Sequence, residues 1–129
     1  MTSTREPLTE RECLQLLAGA RVGRLVYTAA ALPAVLPMRF SFDRPGGFLL
    51  LLPGPEDVAH AVDGTIVAFE AGEIDASDGS GWTVTVLGQA VVEPMSPSAR
   101  EPAQPGADLR LRAECVTGHR ILPSLLASP

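Results

Sequence analysis

The chain has 129 residues, 46% of them hydrophobic, so it is long enough and apolar enough to bury a core. Its formal charge is −5, and its ten basic residues are all arginines, spread along the chain. Nucleic-acid contacts need clustered cations, so we expect no nucleic-acid partner. No apolar run approaches the ~20 residues of a membrane span. The polar N-terminus is unlike a signal peptide, so we expect a cytoplasmic protein without membrane contact.

The length predicts one domain over residues 1–129, with residues 1–8 and 122–129 as loosely ordered tails. Two cysteines, Cys13 and Cys115, lie far apart without a metal-binding or redox spacing. We therefore expect both cysteines to be reduced residues of the core, with no disulfide and no metal site.

A short helix is predicted near the N-terminus. Thr9 is a suitable N-cap, and Glu12, three residues later, completes a capping box. Leucines give this helix an apolar face, and Gly19 ends it. A second short helix is predicted over residues 56–62.

Alternating or continuous apolar residues predict six strands. They cover residues 22–28, 34–42, 48–52, 65–71, 82–93 and 109–117. Pro33 and Pro37 place the second strand at an edge or a bulge, because proline lacks a ladder donor. The third strand, FLLLL, is expected to be buried on both faces.

Gly88 interrupts the alternation of the fifth strand, as glycine does at a bulge or a barrel bend. Six short strands with only short helices between them hide their edges best by closing on themselves. The predicted fold is therefore mainly β, a six-stranded β-barrel, with a half-open sandwich as the alternative.

Several short segments carry a family resemblance, and they follow one another in the family's order. They are ECLQLL at 12–17, VGRL at 22–25, LPAVLP at 32–37, VAFE at 67–70, GWTV at 81–84 and VTG at 116–118. Together they resemble the pyridoxamine 5′-phosphate oxidase-like FMN-binding split barrels, in particular a compact actinobacterial type. The resemblance implies a homodimer that holds FMN, or a small-molecule ligand, in clefts between subunits. Some relatives use a deazaflavin or bind haem.

The resemblance also implies cofactor-binding positions. They are Met38, Arg39, Phe40, Leu51, Leu52, Glu56, Asp57, Trp82, Thr83 and His119. In the implied dimer, Trp82 and the strand of Arg110 and Arg112 lie close to the interface.

The phosphate position departs from the family pattern. Where relatives carry an aromatic residue or Arg and then Thr on the strand, this chain has Leu51 and Leu52. Where relatives carry Ser, Arg or Lys at the helix start, it has Glu56 and Asp57. Cations there would strengthen a phosphate site, whereas carboxylates repel a phosphate. Acidic residues in a first helical turn also stabilise the helix itself, which is the simpler interpretation.

The other implied positions have structural alternatives. Arg39 is equally consistent with a solvated arginine paired with Asp43 or Glu70. Trp82 is consistent with a cap on the barrel end. His119 stands where relatives often have an arginine, which makes it a weak candidate.

Two functions remain open. In the first, the chain is a flavin-binding protein with a redox role and an unknown substrate, and the ring supplies the chemistry without a protein acid or base. In the second, it is a non-catalytic homodimer that has lost flavin and binds another small ligand or a protein partner. The sequence shows no nucleophile triad, phosphate-binding glycine loop or metal-spaced cluster.

Overall fold

The computed structural model describes residues 4–43, 47–54, 56–93 and 107–123. The predicted turn after Asp43, most of the predicted crossing at 94–107 and the end of the C-terminal tail lie outside these ranges. For residues 52–54, 56, 93 and 107 the backbone is described without the side chain.

Eight strands and two helices make up the described chain. In order they are β1 (Arg5–Pro7), α1 (Glu10–Gly19), β2 (Val22–Ala29), β3 (Leu32–Asp43), β4 (Phe48–Gly54), α2 (Glu56–Val62), β5 (Ile66–Ile74), β6 (Gly81–Glu93), β7 (Ala107–Arg112) and β8 (Cys115–Ile121). Neither helix is long and apolar enough to cross a membrane, among the residues that are described.

Six of these strands close into an antiparallel barrel. The order around the barrel is β6, β5, β2, β3, β4 and β7, and β7 pairs again with β6. The predicted six-stranded, mainly β barrel is therefore confirmed. Closure removes the exposed ladder edges that an open sheet of this size would leave.

The predicted length of the sixth strand was wrong. It was expected to run unbroken over 109–117, but β7 ends at Arg112 and β8 begins at Cys115. β8 extends the sheet outside the barrel, and β1 pairs with β8 inside the stretch expected to be a loose tail. The sequence hid this break, because apolar residues at odd-numbered positions continue from Leu109 to Cys115, although the inward-facing positions change from odd in β7 to even in β8.

Gly88 marks the position where β6 changes its neighbour. Residues Gly81 to Leu87 of β6 pair with β8, whereas Ala90 to Glu93 pair with β7 on the same edge. A Cβ atom at Gly88 would overlap the backbone carbonyl oxygen of Arg112. Glycine is therefore required here for close backbone approach, in agreement with the predicted barrel bend.

The barrel interior is filled by apolar side chains that alternate along each strand. The fully buried side chains include Leu25, Leu49, Leu51, Phe69, Val84, Val86, Leu109 and Leu111. Phe40 and Phe69 meet edge to face across the interior, with ring centroids 4.9 Å apart. The third predicted strand is buried on one face and not, as was expected, on both. Leu49 and Leu51 are buried, but Phe48 and Leu50 face outward and are half-buried.

The prolines of β3 lie where that strand has an open edge. β3 pairs with β2 from Leu32 to Arg39, but with β4 only from Arg39 to Asp43. The amide of Phe40 donates toward β2, to the Arg21 carbonyl, so the alternate positions of Pro33 and Pro37 point away from β2. A missing donor costs nothing at such an edge.

The capping box of α1 is confirmed. The Glu12 amide donates to the Thr9 hydroxyl (3.2 Å), and the Thr9 amide donates to the Glu12 carboxylate (3.0 Å). The hydrogen bond from the Thr9 amide lowers the pKa of the Glu12 carboxyl below its ordinary value of 4.5, with a smaller contribution from the Thr9 side chain. Cys13 and Leu17 on the opposite face are fully buried.

Replacing Gly88 should destabilise the barrel selectively. We expect Gly88→Ala to lower the free energy of unfolding by about 2 kcal/mol or more, because a methyl group would push the Arg112 carbonyl out of the sheet. Urea unfolding measures the loss. Gly19→Ala is the matched control, since a Cβ there meets no other atom within 4 Å. Equal stability of the two variants would show that the Arg112 carbonyl, between β7 and β8, is not in close contact with Gly88 of β6.

The capping box should make the stability of α1 depend on pH. The folded-state pKa of Glu12 is lowered, so its contribution is fully present above about pH 4.5 and is lost as the pH falls through the folded pKa. At pH 7 we expect the free energy of unfolding to be larger for the wild-type chain than for Glu12→Gln. We expect this difference to become smaller as the pH falls toward 3. Chemical denaturation across this range measures it, and a pH-independent difference would contradict the assignment.

Candidate functional site

The first group of predicted site residues lies on the wall formed by β3 and β4. Arg39 is exposed on the outer face of β3, whereas Met38 and Phe40 on either side of it are buried in the core. Leu51 is opposite Phe40 and is also fully buried. A ligand outside the barrel would therefore meet the Arg39 side chain, and only the backbone of the other three residues.

The predicted phosphate position is next to Arg39. Leu52 is directly opposite Arg39 in the β3–β4 register, and α2 begins at Glu56, four residues further on. Asp57 is exposed in the first turn of α2. Asp57 therefore follows the strand opposite Arg39 in the chain, although α2 itself packs against β6 and β7.

The second group of predicted site residues lies on β6 and β8. Thr83 is opposite His119, and both belong to the outer face. Trp82 belongs to the other face, is half-buried and packs against the core, as expected for a residue that covers the barrel end. Trp82 also lines a cavity of about 500 Å³ beside the loop that joins β5 and β6.

One chain does not bring the two groups together. β2 and β5 lie between β3 and β6 in one direction around the barrel, and β4 and β7 lie between them in the other. In a six-stranded barrel β3 and β6 are thus on opposite walls. Side chains that point outward from opposite walls cannot contact the same small molecule within one chain.

A cavity of about 630 Å³ lies beside the end of α1, at the part of β3 that extends past the start of β2, and residues from both faces of β3 line it. Arg21 and Arg39 both line it, together with Ser41 and the aromatic residues Phe40 and Phe42. Arg21 was not among the predicted site residues. It immediately precedes β2, and only the pairing of β2 with β3 brings it beside Arg39.

The outer face continues from this cavity to two further arginines. Ser41 also lines a cavity of about 210 Å³ with Phe48 and Arg110, and these two residues line a third cavity of about 310 Å³ with Arg112. We call this continuous surface the arginine groove. It is defined by Arg21, Arg39, Ser41, Phe48, Arg110 and Arg112. In a chain of net charge −5, four of the ten arginines line one groove.

A different outer face carries a row of apolar side chains across five strands. Directly paired residues of β8, β6, β5, β2 and β3 form this row, which we call the apolar stripe. They are Cys115, Leu87, Ala68, Val26 and Val35. Beside the stripe, Arg24 and Glu70 form an ion pair across β2 and β5 at 2.9 Å. Glu70, one of the two acids considered as a partner for Arg39, therefore pairs with Arg24.

Within the part of the chain that is described, other chemistry is sparse. No set of three or more His, Cys, Asp and Glu side chains is arranged to hold a metal ion among these residues. Burial raises the pKa of the Cys13 thiol, which makes it a poor nucleophile. The hydroxyl and amide of Ser77 lower the pKa of Asp75 in the exposed β5–β6 loop. His60 is exposed on α2.

Comparisons with known proteins agree with the fold. The family model for pyridoxamine 5′-phosphate oxidase matches residues 9–113. An uncharacterized protein of Mycobacterium tuberculosis is 36% identical over 87 residues, which are 64% of this chain and 57% of that protein. The match thus spans little more than half the length of this relative.

Two solved structures resemble the chain closely in shape. An FAD binding protein from Mycobacterium smegmatis superposes with a TM-score of 0.71 at 24% identity, over 91% of this chain and 98% of that one. An FAD-binding protein from Mesorhizobium loti gives a TM-score of 0.72 at 19% identity, over 92% and 99% of the two chains. At these identities the likeness establishes the shared fold.

The buried position of Cys13 predicts slow thiol chemistry. In a Cys115→Ser variant, we expect the native chain to resist a thiol reagent at pH 8 and to react rapidly once it is unfolded in urea, because both burial and the raised pKa suppress the thiolate. Cys115 was also expected in the core, but it is exposed on the single chain. The converse variant, Cys13→Ser, therefore leaves Cys115 as the control, measured on dilute protein so that the proposed dimer surface is uncovered. Equally fast reaction of both native variants would exclude the described packing of α1.

Proposed function

The chain belongs to the pyridoxamine 5′-phosphate oxidase family, and on this basis we propose that it binds a flavin nucleotide and has a redox role. The observation that carries the proposal is the arginine-lined cavity beside β3, which offers cations to a phosphate despite the acidic start of α2. When bound, a flavin would supply the hydride chemistry, so the protein need not provide an acid or base. The protein would bind and orient the ring and exclude water.

The donor set of this cavity suits a phosphate. Arg39 lies on β3 and Arg21 immediately precedes β2, beside Phe40, and a guanidinium group can donate two parallel hydrogen bonds to phosphate oxygens. Each charge-assisted contact contributes about 1.5–3 kcal/mol. Asp57 opposes an anion from the α2 side, so these arginines would take over the role that the helix start plays in relatives.

The separation of the two groups of site residues supports a homodimer. A ligand held at Arg39 of one copy can contact Thr83 and His119 only if these belong to a second copy. The site would then be shared, with one wall from each chain. This arrangement agrees with the dimer cleft expected from the family resemblance.

We propose the face that bears the apolar stripe as the dimer surface. Its five strands are joined by four strand spacings, a path of about 19 Å that curves around one side of the barrel. Leu87 is 42% exposed on this face, although it is large and apolar, and Ala68 and Val26, paired with it in turn, continue the stripe on the next two strands. A second copy would cover them, and a twofold contact would let the Arg24–Glu70 pairs of the two chains approach one another.

A second candidate function is favoured by Asp57. If Asp57 repels a phosphate more strongly than the arginines attract it, the chain does not bind flavin. It is then a homodimeric split barrel that binds another small ligand or a protein partner. Absorbance of the purified protein separates the two functions, because FMN, FAD and deazaflavins each absorb characteristically in the near-ultraviolet or visible range. Protein without such bands, whose melting temperature is unchanged by added flavin, supports the second function.

Charge substitutions should change flavin affinity in opposite directions. We expect Arg39→Gln to weaken FMN binding by about tenfold or more, because it removes a charge-assisted contact. Asp57→Lys should strengthen binding by reversing the repulsion. Quenching of flavin fluorescence measures both. The control Arg11→Gln makes the same charge change on the exposed face of α1, and should leave the affinity unchanged. Equal affinities in all variants would place the phosphate elsewhere.

The proposed dimer surface can be tested with two positions on one strand. Leu87 and Val91 both face outward from β6 and are 42% and 45% exposed, but only Leu87 belongs to the apolar stripe. We expect Leu87→Asp to yield monomers in sedimentation velocity at micromolar concentration, because it buries a charge in the interface. Val91→Asp should remain dimeric. Dissociation by Val91→Asp alone would move the interface to the other face.

A further inference from the structure

We propose that the far end of the arginine groove, at Phe48, Arg110 and Arg112, is a second anionic subsite that receives the nucleoside phosphate half of a flavin dinucleotide. The inference rests on the proposed function, because it places the flavin half of the ligand at Arg39. It predicts that the chain prefers FAD to FMN.

The geometry at this end is that of a preformed platform. The Arg110 guanidinium carbon lies 3.7 Å from the centre of the Phe48 ring, and that of Arg112 lies 5.5 Å from it. Phe48 is opposite Arg112, and its neighbour on the same face, Leu50, is opposite Arg110. The aromatic ring thus holds two guanidinium groups in place before any ligand arrives, which reduces the entropy lost on binding.

The charge at this platform favours an anion. Arg110 and Arg112 alternate on β7, so their side chains project from the same face with Cα atoms about 7 Å apart. Two like charges held at one ring repel each other, and a bound phosphate would relieve that repulsion. Asp43 lines the neighbouring cavity, and Asp108 lies one step further along the outer face of β7.

The shape favours a base beside the phosphate. The third cavity, of about 310 Å³, is lined by the apolar Val91 and the amide of Gln89 as well as by the two arginines and Phe48. A guanidinium that stacks on an aromatic ring is planar, and a purine can stack on such a plane while Gln89 offers both a donor and an acceptor to its edge. The lining therefore suits a nucleoside phosphate better than a bare inorganic ion.

The spacing of the two ends favours a dinucleotide. Arg39 and Arg110 are separated by two strand spacings and one two-residue step, which places their Cα atoms about 12 Å apart. A single phosphate would leave most of the groove unoccupied. A dinucleotide carries its pyrophosphate between two planar rings, so it can contact both ends at once.

The test compares FAD, FMN and AMP on four chains: wild type, Arg112→Gln, Phe48→Leu and the control Arg11→Gln. We expect wild type to bind FAD about tenfold more tightly than FMN, and to bind AMP alone at millimolar concentration, by isothermal titration calorimetry. Arg112→Gln and Phe48→Leu should abolish AMP binding and reduce FAD affinity to that of FMN, with FMN affinity unchanged. Arg11→Gln should behave as wild type. If Arg112→Gln does not fold by circular dichroism, Arg112→Lys replaces it, since it keeps the charge but loses the planar fork.

The outcomes separate this subsite from the proposed function. Equal affinity for FAD and FMN in wild type, with no AMP binding, overturns the subsite and leaves flavin binding intact. A preference for FAD that survives in both variants also overturns it. A third outcome is that the wild type binds AMP but neither flavin, and that Arg112→Gln loses the AMP binding. This result supports the subsite as a nucleotide site and refutes the proposed flavin function.

Discussion

The close approach of Gly88 to the Arg112 carbonyl is the constraint on which the rest of the structure depends. It lets one long strand, β6, pair with β8 along its first half and with β7 along its second half. The amide of Glu114 donates to the carbonyl of Leu87 at this crossing, at 3.1 Å. A methyl group at position 88 would overlap the Arg112 carbonyl and weaken the pairing of β6 with these neighbours.

This exchange of neighbours creates two outer faces with different chemistry. Where β8 joins β6, the sheet widens to five strands that carry the apolar stripe. Where β7 joins β6 and β4, Arg110 and Arg112 are placed beside Phe48 and in line with Arg39. The alternation that fills the core also decides which residues face outward. The apolar side chains of one outer face suit a contact with a second copy, and the arginines of the other suit an anion.

Local features of the fold could be predicted from the sequence. The capping box at Thr9 depends on neighbouring residues alone, and the alternation of the barrel strands and its interruption at Gly88 are visible in the local pattern. The break between β7 and β8 could not, because the alternating pattern continues through it. The candidate site was harder still. Met38 and Phe40 were grouped with Arg39, although alternation along β3 sends their side chains into the core. Arg21 and Phe48 were missed, because only strand pairing brings them to the groove.

The central claim is that each binding site is built from the β3 wall of one chain and the β6–β8 wall of another. A native mass spectrum of the chain mixed with excess FAD tests it most directly, since it reports subunits and bound ligands together. We expect a dimer that carries up to two flavins and a monomer that carries none. A monomer that retains one flavin would contradict it, because a single chain would then hold the ligand without its second wall.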